Sequence, residues 1–204
     1  MESALTGLLV DWGGVMTTDV FATFGAFCDA EGLSPEAITE RFRSDPASRD
    51  LLIGLEDGSL PDEDFEVRFA QLLGVAPENL IARIFAASRL EPAMVDAVRR
   101  ARAAGIRTGM ISNSWGAGSY DRALLDELFH GTVISGEVGM RKPAPEIYGL
   151  GAERIGLTPE TCVFVDDLGF NLRPAAAIGM ATVRHREPGE TIDELQRLLS
   201  VPLR

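Results

Sequence analysis

Four separated positions in this chain carry side chains suited to moving a phosphoryl group. Asp11 ends the apolar run Leu8-Leu9-Val10 and is followed by Gly13-Gly14, where a strand must stop. A second apolar run, Val163-Phe164-Val165, ends in Asp166-Asp167. Two strands that each deliver carboxylates at their C-terminal ends point to one parallel sheet with an acidic, metal-ready edge, the edge at which open α/β sheets bind ligands. Between them lie Ser112, after Met110-Ile111, and Lys142, before Pro143. Lys142 is the single lysine of the chain; every other basic side chain is arginine. A nucleophilic carboxylate, a hydroxyl, an ammonium and a metal-binding acid pair, in that order, make a phosphoryl-transfer site. Each residue taken singly has a plainer reading. Asp11 and Ser112 suit strand-end turns, Asp166-Asp167 suits the N-cap of a following helix, and a lone lysine is ordinarily solvated surface. Against that, adjacent carboxylates at a buried strand end repel, and a cation is the simplest way to keep both ionised. An ammonium retained beside a proline, in a chain that otherwise uses arginine, points to a compact, strongly hydrated charge with a task.

The elements that must position these groups follow from periodicity. Residues 5–11 read as a strand. From Val20 to about Leu90 apolar positions recur at helical spacing: Phe21, Phe24 and Phe27-Cys28; Ile38 and Phe42; Phe65, Phe69 and Leu72-Leu73; Leu80-Ile81, Ile84 and Phe85. Ser34-Pro35, Leu60-Pro61-Asp62 and Ala76-Pro77-Glu78 are helix starts, and Gly32, Gly58 and Gly74 are helix stops. This is a block of about four helices. After it strands and helices alternate: a helix over 92–104, a strand over 106–112, a helix over 119–129, a short strand over 132–135, a helix over 145–156, a strand over 161–166, a helix over 171–178, a strand over 180–184 and a last helix over 191–200. Such alternation predicts an α/β fold, a Rossmann-like parallel sheet covered by helices on both faces. The expected layout is an α/β core of residues 1–17 and 91–204 with an all-helical cap, 18–90, inserted after the first strand. The linkers fall near 16–19 and 89–92.

Composition narrows the function classes. A chain of 204 residues with 46% apolar content supports one good core and a small second lobe. A formal charge of −12 with no basic stripe argues against nucleic acid and against an anionic membrane. The start of the chain lacks a basic residue and a long apolar stretch, so neither a signal peptide nor a membrane span is expected. Cys28 and Cys162 read as two buried thiols, with a reducing cytoplasm as the default compartment. A monomer or a homodimer fits equally.

The chain resembles the haloacid dehalogenase superfamily, in the branch with a small helical cap. The resemblance rests on Val10-Asp11-Trp12-Gly13-Gly14-Val15, Ile111-Ser112-Asn113-Ser114, Arg141-Lys142-Pro143, and Phe164-Val165-Asp166-Asp167 with Asn171, in family order and at family spacing. It implies that Asp11 is the nucleophile and that Mg²⁺, a hard cation wanting oxygen ligands, is held by Asp11, the Gly13 carbonyl, Asp166 and Asp167, with Asn171 orienting the Asp167 carboxylate. Ser112 would donate to a phosphate oxygen, the backbone N–H groups of Trp12 and Asn113 would add donors, and Lys142 would hold the phosphate and restrain Asp11. The implied partner is a small phosphorylated metabolite.

One departure matters. Phosphatases of the superfamily carry an acid two residues after the nucleophile; here that position is Gly13. Losing a positioned acid–base group typically costs about 10²–10⁴ in rate. Asp19, Thr17 and Thr18 are the nearest substitutes, and Gly13→Asp is expected to raise activity in an otherwise intact site. The competing readings are a slow phosphatase and a non-catalytic phosphate- or metabolite-binding protein. A dehalogenase, which needs no metal, is disfavoured by Asp166-Asp167. A phosphonate-cleaving enzyme needs a cap lysine, and residues 17–90 contain none. Trp115 is expected either in the core or stacking on a leaving group, Phe24, Phe27, Phe65 and Phe69 in the cap's own core, and Arg41, Arg43 and Arg49 on a solvated face rather than against an anionic substrate. His130 and His185 have no partner nameable from sequence.

Overall fold

The computed structural model describes residues 4–116 and 120–204. Five strands, β1 (Gly7–Val10), β2 (Arg107–Ser112), β3 (Gly131–Ile134), β4 (Cys162–Asp166) and β5 (Ala181–Arg184), form one all-parallel sheet in the order β3-β2-β1-β4-β5. Its strands are apolar on both faces because both faces are covered. Successive residues turn to opposite sides. Leu8, Val10, Met110, Val163 and Val165 pack with α6 (Pro92–Ala103), α7 (Arg122–Leu128) and α11 (Pro188–Leu199). Leu9, Ile111, Val133 and Phe164 pack with α9 (Pro145–Arg154) and α10 (Gly169–Ala177). This is the Rossmann-like α/β architecture that the alternation predicted.

Between β1 and α6 lie five helices rather than about four: α1 (Val20–Glu31), α2 (Pro35–Ser44), α3 (Pro46–Asp57), α4 (Asp62–Leu73) and α5 (Leu80–Ile84). The additional helix is α3, started by Asp45, whose carboxylate accepts from Ala47 N, with Pro46 in the first turn, and stopped by Gly58 at φ 76°. Asp-Pro followed by a distant Gly is a start-and-stop pair, but the apolar positions of α3 do not recur cleanly enough to announce it. Phe27, Phe65, Phe69, Leu80 and Ile84 give these helices a buried cluster of their own, with Phe24 partly buried against it. The chain leaves β1 and returns to α6 through two adjacent crossings, bonded Thr18 N to Arg89 O (2.8 Å) and Glu91 N to Met16 O (2.9 Å).

Smaller departures occur in the core. A short helix, α8 (Ser135–Val138), begins where β3 was expected to end. The helix expected over 119–129 is seen as Arg122–Leu128, and residue 119 lies outside the described residues. His130 and His185, for which the sequence names no partner, each have one: His130 Nδ1 meets Thr108 Oγ1 at 3.1 Å, and His185, itself buried, meets Thr191 Oγ1 at 2.9 Å. These pairs join residues on different elements, which linear spacing does not reveal. Arg41, Arg43 and Arg49 are exposed or partly so, with Arg41 and Arg49 donating to the Leu72 and Arg43 carbonyls. Cys28 and Cys162 are buried free thiols. Among the described residues no helix is long and apolar enough to cross a membrane.

Candidate active site

The C-terminal ends of β1, β2 and β4 converge because the three strands are neighbours and parallel. Asp11 and Asp166 are brought to the same height by the pairing of Val10 with Val165, and Ser112 follows from the pairing of Val10 with Met110. Asp11 is 7% exposed, Asp166 and Lys142 essentially not at all. The Lys142 ammonium sits between the two acids, 2.8 Å from Asp11 Oδ2 and 2.7 Å from Asp166 Oδ2. Asp11 Oδ1 accepts from Trp12 N at 2.6 Å. That backbone donor therefore restrains the predicted nucleophile rather than standing free for phosphate.

Electrostatics follow from burial. Lack of solvent pushes the Asp11 carboxyl well above its ordinary range; Lys142 pulls it back, and Asp166 and Asp167 push it up further. Burial acts to lower Lys142, but Asp11 and Asp166 outweigh it and raise the ammonium's pKa. Lys142 is a fixed positive charge, since an ion pair to two acids within 2.8 Å needs the ammonium. Asp167 is driven up to about 6 by burial and by Asp166. Carboxylate oxygens of Asp11, Asp166 and Asp167 all lie within 4.8 Å of one another. Three acids against one ammonium leave a deficit that a divalent cation matches. Asn171 Oδ1, a further hard donor, is buried without a hydrogen-bond partner. The donor set is all oxygen and fits Mg²⁺.

Asn171 corrects an expectation. Its amide donates to Asp166 Oδ1 and Oδ2, both at 3.1 Å, and not to Asp167. The first turn of α10 folds back over the end of β4, and Leu168 N also donates to Asp166 Oδ1 at 2.8 Å. Asp167 instead lies against the turn at Gly14, where an added Cβ would come within 2.8 Å of its Oδ2. The plainer reading of Asp166-Asp167 as the N-cap of the next helix is not realised: Leu168 holds the cap position of α10, with no side-chain cap bond, and the Asp166 carboxylate pairs with Lys142 instead.

Ser112 Oγ shares a 2.9 Å hydrogen bond with the Tyr120 hydroxyl, a partner sequence spacing gave no signal for. Asn113 uses its side chain inward: Oδ1 accepts from Lys142 N at 2.8 Å, and Nδ2 donates to Lys142 O at 3.0 Å and to Glu56 Oε2 at 3.2 Å. Gly13 lies at the floor, and a Cβ there would come within 2.8 Å of Val20 Cγ2. Of the proposed acid–base substitutes, Asp19 is occupied as the N-cap of α1, accepting from Ala22 N at 2.7 Å, and Thr18 bonds Thr23 and Arg89 N. Thr17 alone of the three lines the same cavity as Asp11. That cavity, about 740 Å³, lies between the helical block and the sheet edge; Trp12, Phe85, Trp115 and Tyr120 give it aromatic walls. Trp115 meets Phe65, Phe69 and Phe85 edge-on, so it both packs on the helical block and faces the cavity.

Comparison with known proteins agrees with this geometry. Residues 5–179 match a hydrolase family, the haloacid dehalogenase-like hydrolases. Among curated proteins the chain is 37% identical over 114 residues to acyl-CoA dehydrogenase family member 10 of Mus musculus, covering 55% of this chain and 11% of that protein. It is 32% identical over 134 residues to bifunctional epoxide hydrolase 2 of Rattus norvegicus, covering 60% and 24%. A glyceraldehyde 3-phosphate phosphatase of Methanopyrus kandleri is 32% identical over 106 residues, covering 50% and 46%. The matches thus span less than half the length of these relatives. Among solved structures, a HAD family enzyme of Bacteroides thetaiotaomicron, crystallised as a magnesium complex, superposes with a TM-score of 0.71 at 21% identity, covering 96% of this chain and all of that one. A predicted HAD-like hydrolase of Porphyromonas gingivalis gives 0.71 at 20% identity, covering 97% and 98%. At such identity these two speak for the fold.

Proposed function

The chain belongs to the haloacid dehalogenase-like hydrolases, and from that premise we propose that it is a Mg²⁺-dependent phosphohydrolase acting on a small phosphorylated metabolite through an aspartyl-phosphate on Asp11. The observation that carries this reading is the Asp11–Lys142–Asp166 cluster, whose Asp11 and Lys142 line the cavity between the helical block and the sheet edge. Asp11, Asp166, Asp167 and the Gly13 carbonyl would hold the metal, which when bound supplies positive charge against the repulsion between a phosphate dianion and a carboxylate. Residues 18–90 act as a cap that closes over the leaving group.

The chain's own residues divide the work. Asp11 attacks phosphorus through one carboxylate oxygen while Trp12 N and Lys142 keep it oriented. The ester P–O bond breaks with its electron pair on the leaving oxygen, which takes a proton from cavity water because Gly13 offers none. A water then attacks phosphorus, loses a proton to solvent, and returns Asp11 as carboxylate and inorganic phosphate as product. Ser112, held by Tyr120, and Lys142 bind the phosphate oxygens throughout. The relatives include a phosphatase of glyceraldehyde 3-phosphate, in keeping with a small substrate. Two reduced, buried thiols are in keeping with a cytoplasmic setting. Gly13 favours one second reading, a phosphate-binding protein with little turnover. Incubation with Mg²⁺ and a panel of phosphate esters, with Asp11→Asn as control, decides between them. Turnover abolished by the substitution supports the enzyme; phosphate binding with no turnover in the unaltered protein supports the second reading.

A further inference from the structure

From the hydrogen bonds at the cap–core seam we infer that Glu56, carried by the cap, is a positioning residue for Lys142, acting through the side-chain amide of Asn113. The inference rests on the phosphohydrolase reading and adds a residue to it. Glu56 lies in the last turn of α3, and its side chain is only 14% exposed. One of its oxygens, Oε2, accepts from both Arg141 Nε and Asn113 Nδ2. Arg141 and Lys142 are consecutive, so a single cap oxygen grips the segment from the cap side while the Lys142 ammonium grips Asp11 and Asp166 on the core side.

Asn113 is the link. Its amide closes a two-bond ring with the Lys142 backbone, accepting from the N–H and donating to the carbonyl, as a neighbouring strand would. The remaining Nδ2 hydrogen goes to Glu56. Turning the amide over would set Oδ1 against the Glu56 carboxylate and the Lys142 carbonyl, and the NH₂ against the Lys142 N–H. All three contacts would become repulsive, so the carboxylate reinforces the orientation that the Lys142 backbone sets and holds the amide from the cap side. The Glu56 backbone is tied to the same region, its carbonyl accepting from Ser135 Oγ, which also accepts from Ser114 N. Gly58, two residues on, lies so close to Gly136 that a methyl group would overlap the Gly136 carbonyl oxygen. The cap's contacts with the core thus hold the carboxylate against the amide.

Because Lys142 is the only lysine, protein labelled with [ε-¹³C]lysine gives one side-chain resonance that reports on this ammonium whether or not the protein turns over. Glu56→Leu and Asn113→Ala are each expected to shift or broaden that resonance. Each should also lower kcat by about 10–100-fold, the usual cost of removing a group that orients a directly acting one. Glu56→Gln, which keeps an acceptor for Asn113 but loses the Arg141 ion pair, should restore the resonance and most of kcat while its melting temperature stays below that of the unaltered protein. The double variant Glu56→Leu/Asn113→Ala should be no slower than Asn113→Ala alone. An unmoved lysine resonance in folded Glu56→Leu overturns the inference. So does a Glu56→Gln protein as impaired as Glu56→Leu, because the ion pair would then be mere adhesion between cap and core. Should the unaltered protein show no turnover, the phosphohydrolase reading fails while the resonance still decides the role of Glu56.

Discussion

The missing acid at position 13 can be restored in full only with a second change, and the geometry sets the expected size of each effect. Gly13 does not sit at positive φ, so an L-residue fits the backbone there. The obstacle is Val20, whose Cγ2 would lie 2.8 Å from the new Cβ. Val20 opens α1 immediately after its Asp19 cap and is β-branched, with little rotamer freedom to retreat. Overpacking of this kind costs about 1–3 kcal/mol. A positioned acid–base group gains about 10²–10⁴ in rate, equivalent to about 2.7–5.4 kcal/mol of barrier. Gly13→Asp alone should therefore melt earlier than the unaltered protein and realise only part of the gain. Adding Val20→Ala should free the carboxylate and raise kcat by about 10²-fold or more. The gain should be larger on alkyl phosphates, whose leaving groups need a proton, than on nitrophenyl phosphate, whose leaving group departs as an anion. The assay is Mg²⁺-dependent phosphate release from both substrate types, with Asp11→Asn in the same background as blank. A folded double variant that binds Mg²⁺ and phosphate normally, yet shows no more than about a threefold rise in kcat on alkyl phosphates, far below about 10²-fold, would refute the acid–base account.

Other expectations follow from the same cluster. In metal-free protein the Asp167 carboxyl, raised from 3.8 to about 6, binds a proton more tightly folded than unfolded. Its stabilising contribution is thus present at low pH and lost as pH rises through about 6. The melting temperature without metal should fall between pH 5 and 7, and saturating Mg²⁺ or Asp167→Asn should flatten that slope. Lys142→Met strands two buried carboxylates without their cation and should cost about 3–5 kcal/mol by urea denaturation, with Mg²⁺ restoring more stability to it than to the unaltered chain. Tyr120→Phe removes the partner that orients Ser112 and should weaken inorganic phosphate binding several-fold, about 1 kcal/mol, measurable by calorimetry. A phosphate affinity unchanged by the loss would mean that the hydroxyl pair is structural.

Much of the fold and the acid–ammonium cluster was readable because both obey local rules. Strands buried on both faces are continuous apolar runs, and Asp11, Ser112 and Asp166 stand at their ends. What eluded the reading depends on contacts between distant elements. Tyr120 meets Ser112 from eight residues away, a spacing with no periodic signature. Asn171 was assigned to Asp167 on spacing, but the entry of α10 aims it at Asp166. Glu56 did leave a trace. Glu56-Asp57 places two acids in the final turn of α3, the negative end of the helix dipole, where carboxylates are disfavoured by about 0.3–1 kcal/mol. An acid kept against that bias implies a partner elsewhere, and here the partners are Arg141, Asn113 and Trp115.

The sheet order has a last consequence. Asp11, Ser112 and Asp166 stand on the three inner strands, and the two outermost ribbons, β3 and β5, carry none of the reactive side chains. Thermal breathing begins where a strand is held along one flank only. Transient peeling of either margin therefore leaves the inner floor of the cavity undisturbed, and its amides should be among the last to exchange with heavy water.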